Sequence, residues 1–65
     1  MTYPTQPQHY KSGKVECITC IESATCTKPG IEAFYVGNVI KYCWRYDQKN
    51  GLEDVQKALV YLHKL

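Results

Sequence analysis

The stretch Gly37-Asn38-Val39-Ile40-Lys41-Tyr42-Cys43-Trp44-Arg45 lies inside a run from about Ile31 to Asp47, and its reading decides the fold. At helical pitch it separates into two faces. Val36, Val39, Ile40 and Cys43 fall on one side, a stripe expected to bury against a core. Asn38, Lys41 and Arg45 stand at i, i+3 and i+7, so an amide and two cations line the other side, with Phe34 one turn earlier. Glycine inside a helix costs about 1 kcal/mol relative to alanine. At Gly37 it removes side-chain bulk where something comes close. Most charged helix faces are simply solvated. Here the charges share one sign, no acid occurs between Glu32 and Asp47, and aromatics flank them. Arg and Lys in that setting suit phosphate recognition, which makes this a candidate ligand face.

Composition narrows the possibilities around this helix. Sixty-five residues make one small domain. A chain of this size buries only about 60% of its unfolded surface, so oligomerisation, a metal or disulfides commonly supplement the core. The formal charge of +2 and a pI near 8.4 are too mild for a protein that coats nucleic acid. No apolar run approaches the roughly 20 residues needed to span a bilayer. Residues from Met1 to Lys11 lack the charged-then-apolar order of a signal peptide, so a soluble, intracellular protein is expected. Cys17 and Cys20 have CxxC spacing, but both fall in a predicted helix, and Cys26 and Cys43 do not form a second tight pair. Buried free thiols are therefore expected in place of disulfides or a zinc site.

The pattern predicts an extended arm over residues 1–13 and a helical domain over 14–65. The arm has no apolar periodicity; its one pointed feature is His9-Tyr10, an imidazole and an aromatic plate that can fold over a site. A first helix is expected from about Lys14 to Thr25, opened by Ser12 or Gly13, with Val15, Ile18 and Ile21 as its stripe. Glu16 suits the helix dipole there. Thr27 is the expected N-cap of the central helix, with Pro29 in its first turn. Asp47-Gln48-Lys49-Asn50-Gly51 reads as a turn, and Asn50 followed by Glu53 as a capping-box-like start to a last helix. That helix has an apolar stripe at Leu52, Val55, Leu59 and Leu62, and an opposite line of Asp54, Lys57 and Tyr61. The fold class expected is all-α: a small three-helix unit with an N-terminal arm, completed by oligomerisation. Six tyrosines and Trp44 exceed what so small a unit can bury, which points to a subunit interface or a ligand platform.

The segments His9-Tyr10, Val15-Glu16-Cys17-Ile18, Gly37-Asn38-Val39-Ile40-Lys41-Tyr42 with Arg45, Lys49-Asn50-Gly51, and Glu53-Asp54 with Lys57-Ala58 and Tyr61-Leu62 carry a further signal. Together they resemble the SaV-like family of short phage proteins, labelled domains of unknown function or phage nucleotide kinases. The resemblance covers nearly everything from His9 to Leu65. It implies a bacteriophage origin, the cytoplasm of the infected host as location, and an association with nucleotides. One longer relative phosphorylates deoxynucleoside monophosphates as a large oligomer. The family positions that carry over are His9, Tyr10, Glu16, Asn38, Lys41, Tyr42, Arg45, Lys49, Asp54, Lys57 and Tyr61. They coincide with the polar lines found from periodicity.

Two departures bear on activity. This chain corresponds to the shared segment alone, and it has no GxxxxGK[ST] phosphate loop. Phosphoryl transfer needs two nucleotides in line and a magnesium site, for which only Glu16, Asp47, Glu53 and Asp54 are candidate acids. The leading expectation is therefore a non-catalytic, homo-oligomeric binder. It holds a nucleotide or a nucleotide-derived signal, cyclic or of ADP-ribose type, and so counters host defence as a sponge. Its ligand-binding residues are His9, Tyr10, Asn38, Lys41, Tyr42, Arg45, Asp54, Lys57 and Tyr61, with no catalytic residue, metal or other cofactor. The alternative is a nucleoside monophosphate kinase, and only then is magnesium required. A third class is a protein-protein inhibitor with Trp44 and Tyr46 as its anchors. Membrane and nucleic-acid partners are not expected.

Overall fold

The computed structural model describes residues 14–65, so the expected arm, with His9 and Tyr10, lies outside the described residues. Three helices follow in order: α1 (Cys17–Thr25), α2 (Gly30–Arg45) and α3 (Leu52–Lys64), with a short 3-10 turn (Tyr46–Gln48) after α2. No strand occurs among the described residues, and the fold is a small all-α one. Helix α2 is the central element, on which both α1 and α3 pack.

Each boundary has a local cause. Helix α1 starts at Cys17 and not at Lys14, because Glu16 as N-cap is extended (φ −72°, ψ 145°). At its other end the Thr25 hydroxyl donates to the Ile21 carbonyl (2.6 Å) and the Lys28 ammonium to the Ala24 carbonyl (2.7 Å). The Lys28 bond takes up a carbonyl that the helix terminus leaves without an intrahelical partner, while the Thr25 hydroxyl shares the Ile21 carbonyl with its own amide. Pro29, not Thr27, is the N-cap of α2. Its carbonyl accepts the first helical bond, from the Ala33 amide at 2.8 Å. Glu32 in the first turn and Arg45 in the last match the sign of the helix dipole.

The reversal into α3 turns on Gly51. Its φ of +56° lies in the left-handed region, which side chains disfavour, and its amide donates to the Tyr46 carbonyl at 2.7 Å. Gly51, not Asn50, is the N-cap of α3. Gly37 has a different function. A Cβ placed there would come within 3.2 Å of the Ile21 Cγ2 methyl, so the missing side chain lets α1 approach α2. What comes close at Gly37 is another helix.

Two expected faces are corrected by the packing. Val36, Val39 and Ile40 are half-buried, but Cys43 is exposed. Arg45, assigned to the outer polar line, is buried. On α3 the inversion is more complete. Leu52, Val55, Leu59 and Leu62 are 71%, 45%, 52% and 53% exposed, while Asp54 is fully buried and Ala58 nearly so. Asp54, Ala58 and Tyr61 at i, i+4 and i+7 form the face that meets α2. The physical reason is that α3 packs chiefly against α2, and α2 presents a buried guanidinium. Only the face carrying Asp54 can match it.

Replacing Gly51 with alanine would force a left-handed backbone on a residue with a Cβ. We expect Gly51→Ala to cost about 1 kcal/mol or more, read as a lower urea midpoint with an unchanged slope.

Candidate functional site

The centre of the α2–α3 interface is an ion pair. Arg45 Nη2 lies 3.5 Å from Asp54 Oδ1, and both side chains are nearly or wholly inaccessible. Asn50 completes the arrangement from the turn: its backbone amide donates to Asp54 Oδ2 (3.2 Å) and its side-chain amide to Oδ1 (3.4 Å). Burial pushes the Asp54 carboxyl up. The backbone and side-chain hydrogen bonds from Asn50, and then the Arg45 charge, outweigh it and hold the group below its ordinary value. Asp54, rather than Glu53, is thus the acid that reaches back to Asn50. Glu53 bonds to Lys57 one turn on, at 3.0 Å. That bond raises the Lys57 pKa, so Lys57 stays a cation.

Above this pair the aromatic side chains gather. Tyr42 of α2 and Tyr61 of α3 are stacked, with ring centres 6.0 Å apart and planes 12° from parallel. Phe34 meets Tyr61 edge-on at 5.9 Å, and Tyr35 lies tilted against it at 6.4 Å. Cations surround the Tyr42 ring: Lys41 Nζ at 4.5 Å, the Arg45 guanidinium carbon at 4.9 Å and Lys57 Nζ at 5.7 Å. The ring quadrupole holds positive charge at such distances. Arg45 and Lys57 have carboxylate partners; Lys41 has none among the described residues.

An open cleft of about 240 Å³ lies beside the stack, lined by Tyr42, Lys57, Val60, Tyr61 and Lys64. Ligand sites commonly enclose about 300–1,000 Å³, so this cleft holds one part of a ligand and leaves the rest outside. Of the nine residues expected from sequence, the structure brings Lys41, Tyr42, Arg45, Asp54, Lys57 and Tyr61 into one neighbourhood. Arg45 and Asp54 support the site from below. Asn38 is half-buried and turned back on its own helix, its amide donating to the Phe34 carbonyl at 2.8 Å. Sequence reasoning missed Lys64 and Val60. Lys64 continues the line from Lys57 by seven residues, a spacing the pattern already contained.

Cys17 is buried beside this interior. Burial pushes its thiol up, the neighbouring Cys20 adds to this, and the Arg45 and Lys41 charges offset it only in part. All four cysteines are free. Among the described residues no three His, Cys, Asp or Glu side chains are grouped so as to hold a metal ion, and no helix is long and apolar enough to cross a membrane.

Fold and site together define a small helical protein with a cation-and-tyrosine cleft between two helices. The chain belongs to the DUF3310 family, described as proteins of unknown function, whose model matches residues 4–63. No curated protein and no solved structure matches the chain.

The lowered Asp54 pKa carries a pH dependence with a definite sign. Its contribution to stability is present above the ordinary value of 3.8 and is lost as pH falls through the lower folded value. Chemical denaturation across this range should show the wild type weakening below about pH 3.8. Asp54→Asn should be less stable at neutral pH and have a flatter acid limb.

Proposed function

We propose that the protein binds a nucleotide or a nucleotide-derived signal through the α2–α3 cleft and holds it without turning it over. The observation that carries this reading is the set of cations around the Tyr42 ring, with Lys41 lacking a carboxylate partner among the described residues. Lys57 and Lys64 from the cleft wall, with Lys41 from beside the Tyr42 ring, receive the phosphate oxygens, and a base or nicotinamide-like ring stacks on Tyr42 or Tyr61. Arg45 acts from within, fixing the Tyr42 ring and answering Asp54.

The resemblance to short phage proteins supplies the biological side of the proposal. In the cytoplasm of an infected bacterium, a homo-oligomeric sponge of this kind withdraws a cyclic or ADP-ribose-type defence signal. The kinase reading is second. Asp54 is committed to Arg45 and Asn50, and Glu53 to Lys57, so two of the four candidate magnesium acids already have partners. That favours holding over phosphoryl transfer.

Calorimetric titration of the full chain with nucleoside mono- and triphosphates, cyclic dinucleotides and cyclic ADP-ribose isomers tests this directly. We expect one class to bind tightly and to be recovered intact after heat denaturation. Lys41→Ala should weaken that binding at least about tenfold, equal to about 1.4 kcal/mol. A ligand recovered phosphorylated would establish the kinase. No binding by any class would overturn the reading and leave the protein-protein inhibitor anchored by Trp44 and Tyr46.

A further inference from the structure

The apolar stripe that packing leaves outside on α3 has a regular form. Leu52, Val55, Leu59 and Leu62 are spaced three, four and three residues apart, the a and d positions of two heptads. All four are about half exposed or more. The spacing reads the same in both directions about position 57. Two copies of α3 laid antiparallel therefore set Leu52 against the second copy's Leu62, and Val55 against its Leu59. In that arrangement the two helix dipoles oppose, which is favourable.

We propose that this stripe is the seam of a twofold homodimer, in which α3 pairs antiparallel with α3 of a second copy. The two α2–α3 hairpins then make a four-helix core. The need is visible in each protomer, where Cys17 and Ala58 are the buried apolar residues among those described. The area is of the right order. Burying the exposed parts of Leu52, Val55, Leu59, Leu62 and Leu65 in both copies removes on the order of 1,000 Å² of apolar surface from water. That is close to the roughly 1,000 Å² a specific interface clears, at the small end of the range where reversible associations fall.

The seam and the cleft use opposite flanks of α3. At 100° per residue Leu52, Val55, Leu59 and Leu62 lie on one side of the buried face, and Lys57, Val60 and Lys64 on the other. Pairing therefore leaves the cleft open. It gives the homo-oligomer proposed above an interface that does not require the nucleotide reading to hold.

Sedimentation of the full-length protein without ligand, up to about 100 μM, tests the association. A concentration-dependent dimer is expected. Leu59→Glu should raise its dissociation constant at least tenfold, while Ile31→Lys, exposed on α2 away from the seam, should not change it. Orientation is read in a Cys26→Ser/Cys43→Ser background by mixing Val55→Cys chains with Leu59→Cys chains under a glutathione redox buffer. The antiparallel seam gives the mixed disulfide in excess, and this measurement stands even where Leu59→Glu fails to fold. A monomer at every concentration, a dimer sensitive to Ile31→Lys but not to Leu59→Glu, or an excess of like-with-like disulfides would overturn the proposal. Loss of ligand binding in Lys41→Ala with the dimer intact separates the two sites.

Discussion

The Arg45–Asp54 pair is the constraint from which most of this structure follows. A guanidinium and a carboxylate removed from water are costly unless each is matched and hydrogen-bonded. The chain matches them with one another and with two donors from Asn50. Because the pair joins the last turn of α2 to the first turn of α3, it sets the rotation of α3 about its own axis. That rotation brings Tyr61 onto Tyr42 and turns the leucines outward. A buried ion pair is weak evidence for stability, and its best-attested use is to set register; here it matches the helix face that carries Asp54 to Arg45.

The site inherits its geometry from the same pair. Tyr42 and Tyr61 meet because their helices are locked in register immediately below them, and the cations around Tyr42 come from both helices. Lys41 and Lys57 thereby both reach the Tyr42 ring, at 4.5 and 5.7 Å from its centre. The apolar flank of α3 is spared from this work and remains available to another surface. The cleft and the exposed apolar stripe thus occupy separate sides of one short helix.

The three helices were legible from sequence, because periodicity and the Pro29 and Gly51 signals report on local backbone. So was the group of residues at the site, since Lys41, Tyr42, Arg45, Lys57 and Tyr61 recur at helical spacing. Which face points inward was not legible. Hydrophobic patterning assigns the apolar stripe of α3 to the interior of its own chain, but here the interior holds Asp54. Periodicity locates a stripe without saying which neighbour covers it. The function of Gly37 shows the same limit: the sequence reveals missing bulk, and only packing names Ile21 as the group that fills the space.

A sparse apolar interior also shapes how the protein responds to temperature. The heat capacity of unfolding grows with the apolar surface newly exposed to water. A protomer whose leucines already face outward has little such surface to expose. Its stability curve is therefore expected to be shallow and broad, without a sharp optimum. Covering those leucines adds both the missing stability and the missing heat capacity, so the curvature of the melt itself would register whether α3 is covered.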